Sequence, residues 1–257
     1  MRDFTLSKYA LLCERLSQAG YTALGMSEYL MMSSAERPEH VVLLRHDVDY
    51  EPTYSLKMAQ VEKAHGLKAT YYYRTIPGLL LPDVVKAVSS LGHEIGYHYE
   101  TLAQAKGDME QAVRLFATEL ERLRQYAPVQ IASMHGNAFK PWDNRDIWQR
   151  VSPQDFGLVG EAYRDFDYTV VQYYSDTGRT WNPDLYNIRD HTGVKPVHVI
   201  ERTDELIALL HERKLKHVCL LTHPERWQDT FPGWLKWAAL DMSANVVKLG
   251  IKALRPA

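Results

Sequence analysis

Four short apolar runs, each ending in ionisable residues, constrain this chain most. They read Leu44-Arg45-His46-Asp47-Val48-Asp49, Ile95-Gly96-Tyr97-His98-Tyr99-Glu100-Thr101, Ile131-Ala132-Ser133-Met134-His135-Gly136-Asn137 and Leu220-Leu221-Thr222-His223-Pro224. A short apolar run bounded by polar or turn residues reads as a buried strand. Where several parallel strands end in ionisable side chains, those side chains converge at the end of a barrel or sheet that carries active sites. Asp and His also hold a catalytic metal while leaving coordination positions open. Four such segments in order point to a metal-dependent hydrolase.

Helical stretches separate these runs. Leu6, Tyr9, Ala10, Cys13 and Leu16 recur at three- and four-residue steps, which predicts a helix over residues 5 to 19 with Gly20 as its stop. A short helix is expected at Ser27 to Met32, and further helices at Thr53 to His65, Asp83 to Leu91, Gly107 to Arg124, Asp204 to Arg213 and Pro232 to Lys248. In the third of these longer helices Ala112, Phe116, Leu120 and Leu123 share one face. Strands are expected at Val41 to Leu44, Ala69 to Tyr73, Glu94 to Tyr97, Val129 to Ala132, Val170 to Tyr174, Val197 to Ile200 and His217 to Leu221. Strands alternating with helices predict βαβ units and a mainly parallel sheet. No Gly/Ser- or Pro-rich linker divides the 257 residues, so they read as one domain. Residues 1–40 form a helical flank, 41–227 the motif-bearing part and 228–257 a closing helix.

A net charge of -2 gives no bulk attraction to nucleic acid or anionic lipid. No apolar run approaches the roughly 18 residues that span a bilayer. The start of the chain lacks the pattern of a secretory signal, so the cytoplasm is the expected compartment. Cys13 and Cys219 sit in apolar runs and read as buried thiols. Phosphate-binding glycine loops, a nucleophile-elbow serine and a zinc-protease helix are all missing. The clustered tyrosines, such as Tyr71-Tyr72-Tyr73, read as strand packing.

Asp47 and Asp49 lie two apart, so in a strand they face one side. Two close carboxylates repel and call for a cation. One would ligate a metal and the other act as general base, although Asp49 could instead cap the helix near Thr53. His98 ends its strand, whereas His93 starts it and reads as structural. His135 precedes Gly136, which permits close backbone approach. Asp176 could orient a His or bind substrate hydroxyls, Arg179 could hold an anion and Trp181 could stack on a sugar, with an ordinary exposed turn as the alternative. His223, followed by Pro224, could protonate a leaving amine.

From about Val41 to Trp227, the chain resembles the polysaccharide deacetylase superfamily, the NodB-type carbohydrate esterases. It looks most like the branch associated with surface-polysaccharide biosynthesis. The matching motifs are His46-Asp47-Val48-Asp49, Gly92-His93-Glu94-Ile95-Gly96-Tyr97-His98 and Leu221-Thr222-His223, in the family's order. The resemblance implies a distorted (β/α)7 barrel, a divalent metal that is usually zinc, and hydrolysis of an N- or O-acetyl group. Three departures stand out. Val48 separates aspartates that are usually adjacent, Leu102 stands where a second ligand His is usual, and His135 stands near the place of a usual Arg. The expected site therefore has Asp49, His98 and His135 as metal ligands, with His135 replacing the lost His. Asp47 is the base and His223 the acid, and Asp176, Arg179 and Trp181 contact substrate. The expected substrate is an N-acylated sugar or sugar nucleotide. The rivals are hydrolysis of another small amide and glycan binding without catalysis.

Overall fold

The computed structural model describes residues 2–136 and 140–254, so Asn137, the last residue of the third run, lies outside the described residues. The elements in chain order are α1 (Leu6–Gln18), β1 (Thr22–Ala23), α2 (Met26–Met31), β2 (Val41–Val48), α3 (Thr53–Ala64), β3 (Ala69–Tyr73), α4 (Pro82–Ser90), β4 (Glu94–Tyr99), α5 (Thr101–Gln104), α6 (Met109–Arg124), β5 (Val129–Met134), β6 (Gly160–Glu161), β7 (Val171–Ser175), α7 (Pro183–Tyr186), α8 (Thr203–His211), β8 (His217–Thr222) and α9 (Phe231–Leu254). Every pairing is parallel, in the order β6-β5-β4-β3-β2-β8-β7, with β1 added beside β2. This curled seven-strand path with helices outside it is the expected distorted (β/α)7 barrel. Among the described residues β6 and β7 do not pair with each other.

Two apolar layers follow from the two-residue period of the strands. Val42, Leu44 and Val48 of β2 face the helices, in the same cluster as Leu12, Met58 and Phe116. Val41 and Leu43 face inward and fill the barrel floor with Tyr72, Ile131, Cys219 and Leu221. A polar network at the back of β2 ties it to the helices. His46 is fully buried, with Nδ1 2.6 Å from Thr222 Oγ1 and Nε2 2.6 Å from Glu62 Oε1. Tyr71 donates to Glu62 Oε2 at 2.6 Å, and Tyr9 donates to Oε1 of the same carboxylate. Burial pushes the Glu62 carboxyl up, but His46 more than offsets this and leaves it below its ordinary range. His93 bridges the Ala59 carbonyl and the Ala69 amide, a packing role.

Two expected elements differ. Val197 to Ile200 form no strand, and Val197 and Val199 are exposed. Pro196 precedes them and supplies no N–H for a ladder, while the Val197 amide donates to the Gln172 side chain at 2.8 Å. The closing helix runs on through Gly250 to Leu254, its end pinned where Lys252 donates to the carbonyls of Asp184 and Leu185. The two-residue β1 and β6 are too short to carry a periodic signal.

Candidate metal centre

The inward row of β2 changes character along its length. Val41 and Leu43 are apolar, then come Arg45, Asp47 and, just past the strand, Asp49. The same alternation places His98 on β4, Ser133 on β5 with His135 next to its end, and His223 next to the end of β8. Parallel register therefore delivers one or two polar side chains per strand to one end of the barrel. Gly96, inward on β4, makes room there. A Cβ on it would lie 2.4 Å from the Tyr72 ring.

Asp49, His98 and His135 come together as expected. His98 Nε2 is 3.3 Å from Asp49 Oδ1, His135 Nδ1 is 3.1 Å from the same oxygen, and the two nitrogens are 3.3 Å apart. Tetrahedral zinc with bonds of about 2.0–2.1 Å spaces its donors by about 3.3 Å. Asp49 Oδ1 is buried and takes no hydrogen bond from either imidazole. His98 Nδ1 lies 3.0 Å from the Ser133 carbonyl, which acts only as an acceptor. That contact puts the ring proton on Nδ1 and leaves the Nε2 lone pair facing Asp49. The donor set fits a divalent ion such as zinc, and these are the described residues that group suitably for one.

Arg74 fixes the backbone here. Its Nη1 donates to the Asp49 carbonyl at 3.1 Å, and its Nε to Glu100 Oε1 at 3.0 Å.

Asp47 sits one layer below. Arg45 grips it with both arms of the guanidinium, Nε to Oδ1 at 3.0 Å and Nη2 to Oδ2 at 2.8 Å. Arg45 also donates to Ser133 Oγ at 2.6 Å and lies 4.5 Å over the Tyr163 ring. Burial raises the Asp47 pKa, but Arg45 and then His98 bring it below the usual carboxylate range. Oδ2 stands 3.5 Å from His98 Nε2, beside the ligand cluster. Sequence reasoning missed Arg45, although the two-residue period that pairs Asp47 with Asp49 includes it.

Asp176 is wholly buried and bonded to a histidine. Its Oδ1 is 2.6 Å from His223 Nδ1 and accepts from Arg226 at 2.8 Å. Its Oδ2 accepts from the His223 amide and from Trp227 Nε1, both at 2.9 Å. Burial opposes ionisation, but Arg226 and then His223 bring the carboxyl down to about 2. In turn, burial and Arg226 press the His223 pKa down, yet Asp176 leaves it above its ordinary value. His223 Nε2 faces Asp49 Oδ2 at 3.7 Å.

A cleft of ≈ 420 Å³ opens above these groups. Glu225 reaches into it, its Oε2 buried without a partner, and burial pushes its carboxyl up to about 8. One expected substrate contact is corrected, and a second lies away from this cleft. Trp181 is fully buried, donates to Thr203 Oγ1 at 2.9 Å and packs on Phe4 and Trp227 inside the core, so it offers no face to a sugar. Arg179 is wedged between Phe4 and Trp234, 3.8 Å from Asp241, and does not line the cleft. The other expected contact, Asp176, is shielded from the cleft by His223 and Arg226. Among the described residues no helix is long and apolar enough to cross a membrane.

The chain matches no family model and no curated protein. Solved structures do resemble it. A family 4 carbohydrate esterase pseudoenzyme from Bacillus anthracis is 13% identical at a TM-score of 0.43, over 81% of this chain and 61% of that one. This chain thus spans less than two thirds of the pseudoenzyme's length. A family 4 carbohydrate esterase from Streptomyces lividans, in complex with acetate, is 14% identical at 0.40, over 82% and 87%. Another, from Bacillus subtilis, is 16% identical at 0.42, over 89% and 81%. The likeness is one of fold.

Proposed function

We propose that this chain is a metal-dependent hydrolase that removes an N-acyl group, acetyl in the simplest case, from a carbohydrate amine. The observation that carries this reading is the convergence of Asp49 Oδ1, His98 Nε2 and His135 Nδ1 at 3.1–3.3 Å around a buried carboxylate oxygen that has no hydrogen bond. When bound, a divalent ion, zinc by the fit of two imidazoles and a carboxylate, supplies a Lewis acid that polarises a carbonyl and lowers the pKa of water.

The chain's own residues do the rest. Asp49, His98 and His135 hold the ion, and the Ser133 carbonyl fixes the His98 tautomer. Asp47 is kept ionised and aimed by Arg45, so it accepts the proton that the attacking water gives up. His223, held by Asp176, gives a proton to the departing amine through Nε2. Both proton carriers therefore stand on buried partners of opposite charge, one on each side of the ligand cluster.

Metal content and acetate release from N-acetyl sugars test this together. Wild type should carry about one equivalent of zinc, and His135→Ala should lose most of it. Asp47→Asn should keep the metal while kcat falls by roughly 10²–10⁴. A wild type that takes up no metal after dialysis against zinc, manganese or nickel sinks the reading. So does full activity in metal-loaded Asp47→Asn.

A further inference from the structure

Helix α9 crosses directly over the candidate centre. Trp237, Leu240, Asp241, Ala244 and Lys248 recur at three- and four-residue steps and form one face, which lines the cleft opposite Asp49, His135 and His223. Two contacts join this roof to the floor. The Tyr50 ring leans on Trp237 at 5.7 Å, and Arg226 Nε donates to Asp241 at 3.1 Å. Asn245 adds a third tie, to the Gly178 carbonyl at 3.1 Å. A volume of ≈ 420 Å³ suits a small molecule. A space of this volume beneath a helix leaves little room for chain on both sides of a bound sugar unit.

The roof carries a cation. Lys248 is half-buried and makes no ion pair or hydrogen bond among the described residues. Burial, then Arg226, pushes its ammonium below the ordinary range and outweighs the nearby carboxylates. Asp241 faces the same space but is paired with Arg226. Asp190 and Asp49 also lie within Coulombic reach of Lys248, and neither forms an ion pair with it.

We infer that the substrate is a small N-acylated amino sugar bearing an anionic group, taken up beneath α9 with that group on Lys248, and that internal units of polysaccharide chains are excluded. This rests on the hydrolase reading above.

Calorimetry and acetate release test it with three probes: N-acetylglucosamine, its 1-phosphate, and a chitin pentamer, on zinc-loaded wild type and Lys248→Met. The phosphate should bind and turn over best, with the pentamer at least about tenfold poorer in kcat/KM. Lys248→Met should raise KM and Kd for the phosphate by about tenfold, with kcat and the neutral sugar little changed. A pentamer processed as well as the phosphate overturns the inference, as does unchanged phosphate selectivity in a folded Lys248→Met. Phosphate binding that depends on Lys248 without any turnover keeps Lys248 as the anion contact and overturns the hydrolase reading instead.

Discussion

Arg45 and Asp47 show what a single position can decide. They stand two apart on β2, and both are buried. The row Arg45, Asp47, Asp49 was open to view in the sequence, because alternate strand residues share a face. What hid Arg45 was its surroundings. Its partners Ser133 and Tyr163 come from distant segments, so the local run gives no sign of them. Trp181 misled in the opposite direction, since a tryptophan near a turn looks available but lies against Phe4 and Trp227. Asp176 yields a prediction in acid. Its pKa is about 2 in the fold against an ordinary 3.8, so its contribution is full above about pH 4 and is lost as pH falls toward 2. The amount is about 2 kcal/mol. Urea unfolding of wild type and Asp176→Asn from about pH 6 to pH 2 should show a wild-type curve steeper by that amount below pH 4. Parallel curves would remove the buried ion pair as the source.

The elements were legible where apolar residues kept a period. β2, β3, β4, β5, β7 and β8 all appear within a few residues of their expected bounds, because each is an apolar run with a polar end. Val197 to Ile200 had the composition without the pairing partner, and composition alone does not make a ladder. The length of α9 was hidden for another reason. Gly250 normally stops a helix, but Lys252 secures the turn beyond it through the carbonyls near α7. Strand β4 offers the sharpest test at this scale. In Gly96→Ala the new methyl would come within 2.4 Å of the buried Tyr72 ring and 3.2 Å of Ile131. The ring must move in a packed floor, at a cost of about 1–3 kcal/mol. Chemical denaturation should show a lower midpoint with an unchanged slope, and an unchanged midpoint would mean that the floor has slack.

Across the whole molecule, the sheet is continuous from β6 round to β7 and then stops. Side chains bridge the gap: the hydroxyls of Tyr163, just past β6, and of Tyr173 on β7 lie 3.5 Å apart, and the rings stand edge to face. Amides of β6 and β7 should therefore exchange with deuterium about tenfold or more faster than those of β2 and β3, which are paired on both sides. Equal protection at the seam would point to a closed ladder. The seam also divides duties among the strands. β2, β4, β5 and β8, which carry or directly precede the ligand cluster and the proton carriers, all lie inside the paired path, while the edge strand β7 contributes Asp176, just past its end, to hold His223. Insertions between β6 and β7 thus have no register to preserve. A lineage built on this frame can lengthen that segment without shifting a strand that carries a ligand, provided Tyr163 stays against Arg45.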